Sequence, residues 1–349
     1  MPGKKKIGIL TGGGDCPGLN AAIRATAKTA FKMGYDVVGI RNGWKGLLEN
    51  DNKILDSYNT SGIIDRGGTI LGTSRVSPLK VENGPQRVFD GFEKLSLEAL
   101  VVLGGEGTLS VTSKLFKMGL PVVGIPKTID NDVRETDYTI GFQTAVQIAT
   151  DALDRLRSTA ESHHRVMLLE VMGRKAGWIA TYSGMANGAD AILIPEIPLN
   201  KTRTAELCQM LKERNQRGAT FSVVVVAEGT ELEGRTIKKR TLKIADQKHT
   251  YILGGVGNAL GEIIEEQTGL ETRVSSLDYI QRGGTPVAYD RSLATAFGVK
   301  AVELIQEKKY GEMAALKGNR ITSVPLEKVA DGTKTVNLNV YRIAAIFFG

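Results

Sequence analysis

A chain of 349 residues, 42% of them hydrophobic, carries enough apolar material for a large core and is expected to divide into two domains. No apolar stretch approaches the roughly 20 residues that span a bilayer, and the start, Met1-Pro2-Gly3-Lys4-Lys5-Lys6, runs into a strand pattern without a signal-peptide apolar region, so a cytoplasmic protein with no membrane partner is expected. The charge of +7 is spread along the chain and aromatics are only 6%, which argues against a nucleic-acid partner.

Strand-like runs are predicted at residues 7–10, 36–40, 100–103, 122–125, 165–171, 191–194 and 220–227. Helices are expected to start near Leu19, Pro85, Thr108, Phe142, Ala176, Lys201, Gly254 and Asp290. This alternation argues for an α/β protein with mainly parallel sheets and helices on both faces. There is no low-complexity linker and no short-period repeat, and the motifs put a boundary near Ile140. Lys4-Lys5-Lys6 and Lys238-Lys239-Arg240 read as solvated surface.

Three segments in the first half follow apolar strands directly: Thr11-Gly12-Gly13-Gly14-Asp15, Gly104-Gly105-Glu106-Gly107-Thr108, and Pro126-Lys127-Thr128-Ile129-Asp130-Asn131-Asp132. They are expected at the carboxyl ends of neighbouring strands, where open α/β sheets bind ligands. The first is a glycine turn before a helix, either an anion cradle or a tight turn alone; it is no Walker A loop, because no Gly-Lys-Ser/Thr follows. The second adds a carboxylate, Glu106, able to hold Mg²⁺ directly or through water, beside room for a polyphosphate at Gly105, Gly107 and Thr108. The third offers two carboxylates: one to accept a proton from an attacking hydroxyl, the other to help hold a metal or fix the loop. Each taken alone also reads as an ordinary turn. Their order suggests phosphoryl transfer from a bound polyphosphate.

In the second half, Arg165 and the segment Glu170-Val171-Met172-Gly173-Arg174-Lys175 carry cations suited to a phosphoryl group in transit, or to plain surface. Glu228, Arg273 and Arg282 are further candidates for sugar hydroxyls and a sugar phosphate. Gly255-Val256-Gly257 lacks the third glycine of a dinucleotide fingerprint and reads as helix packing. Cys16 and Cys208 are far apart, so neither a disulfide framework nor a zinc site is implied, and Cys208 reads as core. Only three histidines occur, His163, His164 and His249, so any metal should be a hard cation on oxygen ligands.

These segments resemble the 6-phosphofructokinase family over residues 8 to about 290. Thr-Gly-Gly-Gly-Asp-Cys-Pro-Gly-Leu-Asn-Ala, Gly-Gly-Glu-Gly-Thr, Pro-Lys-Thr-Ile-Asp-Asn-Asp, Val-Met-Gly-Arg and Ile-Gln-Arg-Gly-Gly all have counterparts there, in this order. The resemblance implies two similar three-layer α/β domains with the active site in the cleft between them. Residues 1–140 with about 281–330 would form the nucleotide or polyphosphate domain, and 141–280 with about 331–349 the sugar-phosphate domain. It implies a homo-oligomer, a homotetramer or dimer, that phosphorylates fructose 6-phosphate at the 1-hydroxyl.

By resemblance, Gly14, Arg75, Val76, Gly105, Glu106, Gly107 and Thr108 contact the donor, with Glu106 towards Mg²⁺. Asp130 is the base, Asp132 assists in the metal and charge network, and Arg174 stabilises the transition state. Thr128, Met172, Gly173, Glu228, Tyr279 and Arg282 match substrate contacts, while Arg165 and Arg273 match arginines that reach the sugar phosphate from a neighbouring subunit.

Four positions depart from the bacterial ATP enzymes or bear on the donor. Glu106 stands where Asp is usual, and Tyr279 where His is usual. Lys127 is the residue of pyrophosphate-type members, whereas Gly107 is that of ATP-type members, the pyrophosphate type carrying Asp there. An Asp at 107 would bring bulk and negative charge near a nucleotide α-phosphate, while Lys127 can swing aside on its flexible stem. ATP is therefore expected as donor, with pyrophosphate the runner-up. Arg24, Lys28 and Arg157 partly match a basic effector site, whose remaining cations are not evident near Gly218 and Ala219.

Three alternatives fit less well. NAD and lipid kinases of related fold share a Gly-Gly-Asp-Gly motif but lack the downstream segments. A non-catalytic nucleotide or sugar-phosphate sensor would be expected to lose Asp130 or Arg174. A nucleic-acid module would need massed cations.

Overall fold

The computed structural model describes residues 4–235, 239–244, 247–252 and 255–349, the stretches 239–244 and 247–252 by backbone alone. Its strands are β1 (Lys6–Thr11), β2 (Asp36–Ile40), β3 (Asn52–Leu55), β4 (Leu97–Gly104), β5 (Val122–Pro126), β6 (Val166–Val171) and β7 (Ala191–Leu193). They continue with β8 (Ser222–Ala227), β9 (Lys239–Ile244), β10 (Gln247–Ile252), β11 (Thr272–Ser276), β12 (Glu312–Lys317) and β13 (Arg320–Pro325). The first helices are α1 (Leu19–Lys32), α2 (Trp44–Glu49), α3 (Gly84–Lys94), α4 (Glu106–Lys117), α5 (Phe142–His163) and α6 (Trp178–Asn187). After them come α7 (Lys201–Gln216), α8 (Val256–Thr268), α9 (Ala288–Gln306), α10 (Leu326–Val329) and α11 (Leu338–Ala345).

The chain forms two compact units, Met1–Thr144 with Arg282–Thr333, and Ala145–Gln281 with Lys334–Gly349. In the first, a seven-stranded sheet has the order β13-β12-β5-β4-β1-β2-β3. Its five inner strands are parallel, while β3 and β13 join antiparallel at the edges. Leu10, Ile40, Leu100, Val102 and Val122 point to one face, against Leu109 and Leu115 of α4 and Val88 of α3. Their neighbours Ile9, Val101, Leu103 and Val123 are equally buried on the other face. A strand buried on both faces reads as a continuous apolar run, which explains why β1, β4 and β5 stand out in the sequence.

The second unit holds a parallel sheet of order β11-β6-β8-β7 and a separate antiparallel pair, β9-β10. Leu168, Val224 and Val226 pack against Leu207 and Leu211 of α7 and Leu260 and Ile264 of α8. On the opposite face α6 lies close enough that a Cβ at Gly184 would come within 2.7 Å of Ile192. Cys208 is buried in this core, as expected.

Four expected helix starts shift by a residue or two, and at α4 the shift changes the site. The helix begins at Glu106 rather than Thr108, so Glu106, Gly107 and Thr108 all lie in its first turn. The structure also adds β3, β11, β12 and β13, which the apolar pattern does not predict; β13 has no fully buried residue and β11 only one. The edge strands β3, β11 and β13, of mixed burial, leave no apolar run to read, whereas β12 is an inner strand buried over residues 313–316 whose short run the apolar pattern passes over. The expected start at Gly254 and the first residue of the run Lys238-Lys239-Arg240 lie outside the described residues, as do the side chains of the other two and of His249. Lys4 and Lys5 are exposed, and Lys5 pairs with Glu98 at 3.0 Å. Among the described residues no helix is long and apolar enough to cross a membrane.

Candidate active site

In the first unit the three chemistry-bearing segments begin side by side. Thr11 pairs in register with Leu103, and Gly104 with Pro126, so all three leave β1, β4 and β5 at the same carboxyl edge. Gly12 N donates to Leu103 O at 2.9 Å, and Lys127 N to Gly104 O at 3.0 Å. Thr108 wedges between the two glycine turns: a Cβ at Gly12 would lie 2.8 Å from its methyl group, and one at Gly104 would collide with it. Both glycines are therefore needed for close approach. At Gly107, by contrast, a Cβ would meet nothing within 4 Å, and the residue is exposed. The positive end of α4 thus opens at Gly107 onto uncluttered space.

Arg75 and Val76 follow a segment stapled to the first turn. Thr11 Oγ1 donates to Gly72 O at 2.7 Å, Thr73 Oγ1 to Gly13 O at 2.7 Å, and Gly13 N to Ser74 O at 3.0 Å. Asn20, buried on α1, donates to Arg66 O at 2.9 Å and Gly67 O at 3.1 Å and accepts from Ile70 N at 2.8 Å. None of Asn20, Thr73 and Ser74 is singled out by the sequence; the available signal is a polar Asn inside an otherwise apolar helix start.

The Lys127 side chain is buried, 2% exposed, and Nζ donates to Gly14 O at 2.5 Å, beneath the first turn. Gly14 also touches Arg282, whose Nη1 would lie 3.3 Å from a Cβ there. Burial holds the Lys127 amine below the usual lysine range, and burial pushes the neighbouring Cys16 thiol up to about 12, which keeps it protonated and inert.

A lysine depressed in the folded state contributes stability that is present above its unfolded pKa and lost as pH falls through the folded value. Lys127→Met deletes that titration and leaves Gly14 O without its donor, a constant cost of about 1–3 kcal/mol. The wild type should therefore gain stability relative to Lys127→Met as pH rises from neutral towards the normal lysine pKa. Denaturant titrations of both proteins across that window check this; a pH-independent difference would show that the buried amine is not depressed.

The segment after β5 carries Thr128, Asp130 and Asp132 on its half-exposed side. Thr128 Oγ1 accepts from Asp130 N at 3.2 Å, and the segment is tied back where Thr128 N donates to Ile140 O and Ile140 N to Pro126 O, both at 3.2 Å. Its far end is fixed by Asp290, a fully buried carboxylate that accepts from Gly141 N at 3.0 Å, Thr144 N at 2.8 Å and Thr144 Oγ1 at 2.6 Å. Asp290 thereby caps α5 from α9, and the sequence registers it only as an acidic residue at a helix start.

In the second unit Met172, Gly173 and Arg174 leave the carboxyl end of β6, and Glu228 leaves that of β8 beside them. Glu228 N donates to Val171 O at 2.8 Å and Gly229 N to Gly173 O at 3.1 Å. Gly173 sits at φ 137, where a side chain would be strained and its Cβ would lie 2.8 Å from Ala176 O. Tyr279, 59% exposed, lies in the short 3₁₀ turn Asp278–Arg282 after β11. That turn is tied to the Met172 loop by Gln281, whose Oε1 accepts from Met172 N at 2.7 Å. Gln281 is fully buried, and nothing in the local sequence marks it.

Arg165 and Arg273 lie elsewhere. Arg165 precedes β6 and Arg273 pairs with Met167 near its start, so both stand at the amino ends of the strands that carry Met172 at the other end. Six residues at about 3.3 Å each separate the two ends by roughly 16–20 Å. Both guanidinium groups converge on Glu271, Arg165 at 2.9 Å, and the Arg165 hydrogen bond holds that carboxyl below the usual range. Arg157 is engaged locally, donating to Asn187 O at 2.9 Å.

The Gly255-Val256-Gly257 turn proves more than packing. Gly255 N and Gly257 N donate to the buried Glu170 carboxylate at 3.0 and 2.7 Å, so the start of α8 is filled by the chain's own anion. Among the described residues no group of three or more His, Cys, Asp or Glu is arranged to hold a metal.

Two mainly parallel sheets with binding-type loops at their carboxyl edges place the protein among the open-sheet α/β proteins that hold ligands there. The family described as phosphofructokinase matches residues 6–305. The pyrophosphate–fructose 6-phosphate 1-phosphotransferase of Dictyoglomus thermophilum is 46% identical over 345 residues, covering 99% of both chains. The ATP-dependent 6-phosphofructokinase of Spirochaeta thermophila is 48% identical over 347 residues, covering 96% of this chain and 93% of that one. Among solved structures, phosphofructokinase from Saccharomyces cerevisiae superposes with a TM-score of 0.80 at 31% identity, over 99% of this chain and 47% of that one. This chain thus spans about half the length of the yeast chain. The chain belongs to the phosphofructokinase family.

Proposed function

We propose that the protein transfers the γ-phosphoryl group of ATP to the 1-hydroxyl of fructose 6-phosphate, by direct in-line displacement in the cytoplasm. Membership of the family supports the reaction class. The open space at Gly107 carries the choice of donor, because a nucleotide needs room where pyrophosphate does not. Gly14, Arg75, Val76, Gly105, Gly107 and Thr108 would line the donor. Thr128, Met172, Gly173, Glu228, Tyr279 and Arg282 would hold the sugar phosphate.

Asp130 would take the proton from the 1-hydroxyl, with Asp132 beside it tuning the local charge, and Arg174 would neutralise charge on the phosphoryl group in transit. A sparse carboxylate set suits Mg²⁺, which is usually held by one or two carboxylates together with substrate phosphates. Glu106 would hold it, through water or directly, and when bound the ion supplies neutralising charge to the phosphate oxygens. The distance between Arg165 and Met172 along β6 supports a homo-oligomeric site in which Arg165 and Arg273 serve a neighbouring subunit.

Pyrophosphate is the second reading, favoured by Lys127 under the first glycine turn and by relatives named for either donor. The test is fructose 1,6-bisphosphate formation with Mg²⁺ and each donor in parallel. Turnover with ATP is expected; turnover with pyrophosphate alone would overturn the donor, and none with either would remove the reaction and favour a non-catalytic sensor.

A further inference from the structure

Side chains alternate along the segment after β5. Ile129, Asn131 and Val133 point inward and are buried, while Thr128, Asp130 and Asp132 face the open side. An inward amide between two inward aliphatic residues is out of place unless it is bonded. Asn131 is fully buried, and its Oδ1 accepts from Thr139 N at 3.1 Å and lies 3.4 Å from Thr139 Oγ1. Its Nδ2 donates to Asp137 O at 3.3 Å. Thr139 Oγ1 in turn donates to Thr128 O at 2.7 Å, closing the segment on itself.

The backbone adds a second requirement. Asn131 lies at φ 51, in the left-handed region that few side chains other than Asn and Asp adopt readily. The position thus needs a left-handed residue that offers a donor and an acceptor together and carries no charge beside two carboxylates. An Asp would add a third negative charge, and Gly supplies no bond.

On the proposed role of Asp130 as base, we infer that Asn131 is the positioning residue of the catalytic loop, its buried amide clamping Thr139 and Asp137 so that Asp130 and Asp132 are held on the open face. Asp130 is caught on both sides, by the Thr128 hydroxyl on its N–H and by the buried residue that follows it. A base displaced by about 1 Å from its reacting partner costs on the order of 10²-fold.

The test uses the full-length enzyme under steady-state conditions. Asn131→Gly keeps the left-handed backbone and removes the amide; kcat should fall about 10- to 100-fold with KM for fructose 6-phosphate within about twofold. In an Asp130→Ala background the same substitution should cost nothing further, because there is no base left to position. Thr139→Val, a milder change that removes only the hydroxyl, should lower kcat in the same sense and be non-additive with Asn131→Gly. Full additivity with Asp130→Ala, or a rise in KM at unchanged kcat, would overturn the assignment and leave Asn131 a purely structural residue. An inactive wild type would remove the proposed function instead, so the two failures are distinguishable.

Discussion

Replacing Asp130 with Ala is expected to lower kcat by about 10²–10⁴-fold, the usual worth of a positioned general base, while fructose 6-phosphate still binds. The carboxylate lies on the half-exposed side of a segment tied down at Thr128, Asn131, Thr139 and Ile140, and the substitution leaves those ties in place. Unchanged turnover would remove Asp130 as the base. The same variant probes assembly. If Arg273 acts on a neighbouring subunit, co-refolding Asp130→Ala with Arg273→Ala should regenerate activity, because some mixed sites receive both intact groups. Steady-state rates of the mixture against each parent check this, and no recovery would confine Arg273 to its own subunit.

Gly107→Asp is expected to lower kcat/KM for ATP by about 10²-fold while sparing pyrophosphate. A carboxylate about 5 Å from the α-phosphate, at an effective dielectric constant near 20, costs on the order of 3 kcal/mol. Folding should be little affected, since a Cβ at this position meets no atom within 4 Å and the first turn of a helix tolerates Asp. Parallel assays with both donors and an unchanged melting temperature would establish the effect as one of donor choice. If ATP turnover survives intact, the open space at Gly107 does not hold the nucleotide.

Much of the fold is legible because its central strands are buried on both faces. β2 lies where the apolar run puts it, and β1, β4, β5 and β8 agree within two or three residues. The three phosphate-type segments are legible for the same reason, since each follows such a strand. What escapes is polar and long-range. Asn20, Gln281 and Asp290 do their work through hydrogen bonds to partners 46 or more residues away, and nothing local marks them. Lys127 belongs with them: nothing local marks it as buried, and its Nζ bonds to Gly14 O, 113 residues earlier in the chain.

The sequence by itself determined the family, the α/β class and the presence of Asp130, Arg174 and two glycine turns, because those depend on residue type and order. The sequence also put the three glycine- and carboxylate-bearing segments at neighbouring strand ends, as the pairing has them; only the tertiary structure decided that Asp290 caps α5 from α9, that Glu170 already fills the start of α8, and that Arg165 stands at the opposite end of β6 from Met172. Periodicity reports which face of a strand is buried. Strand order and the direction of each end are fixed by pairing between distant segments.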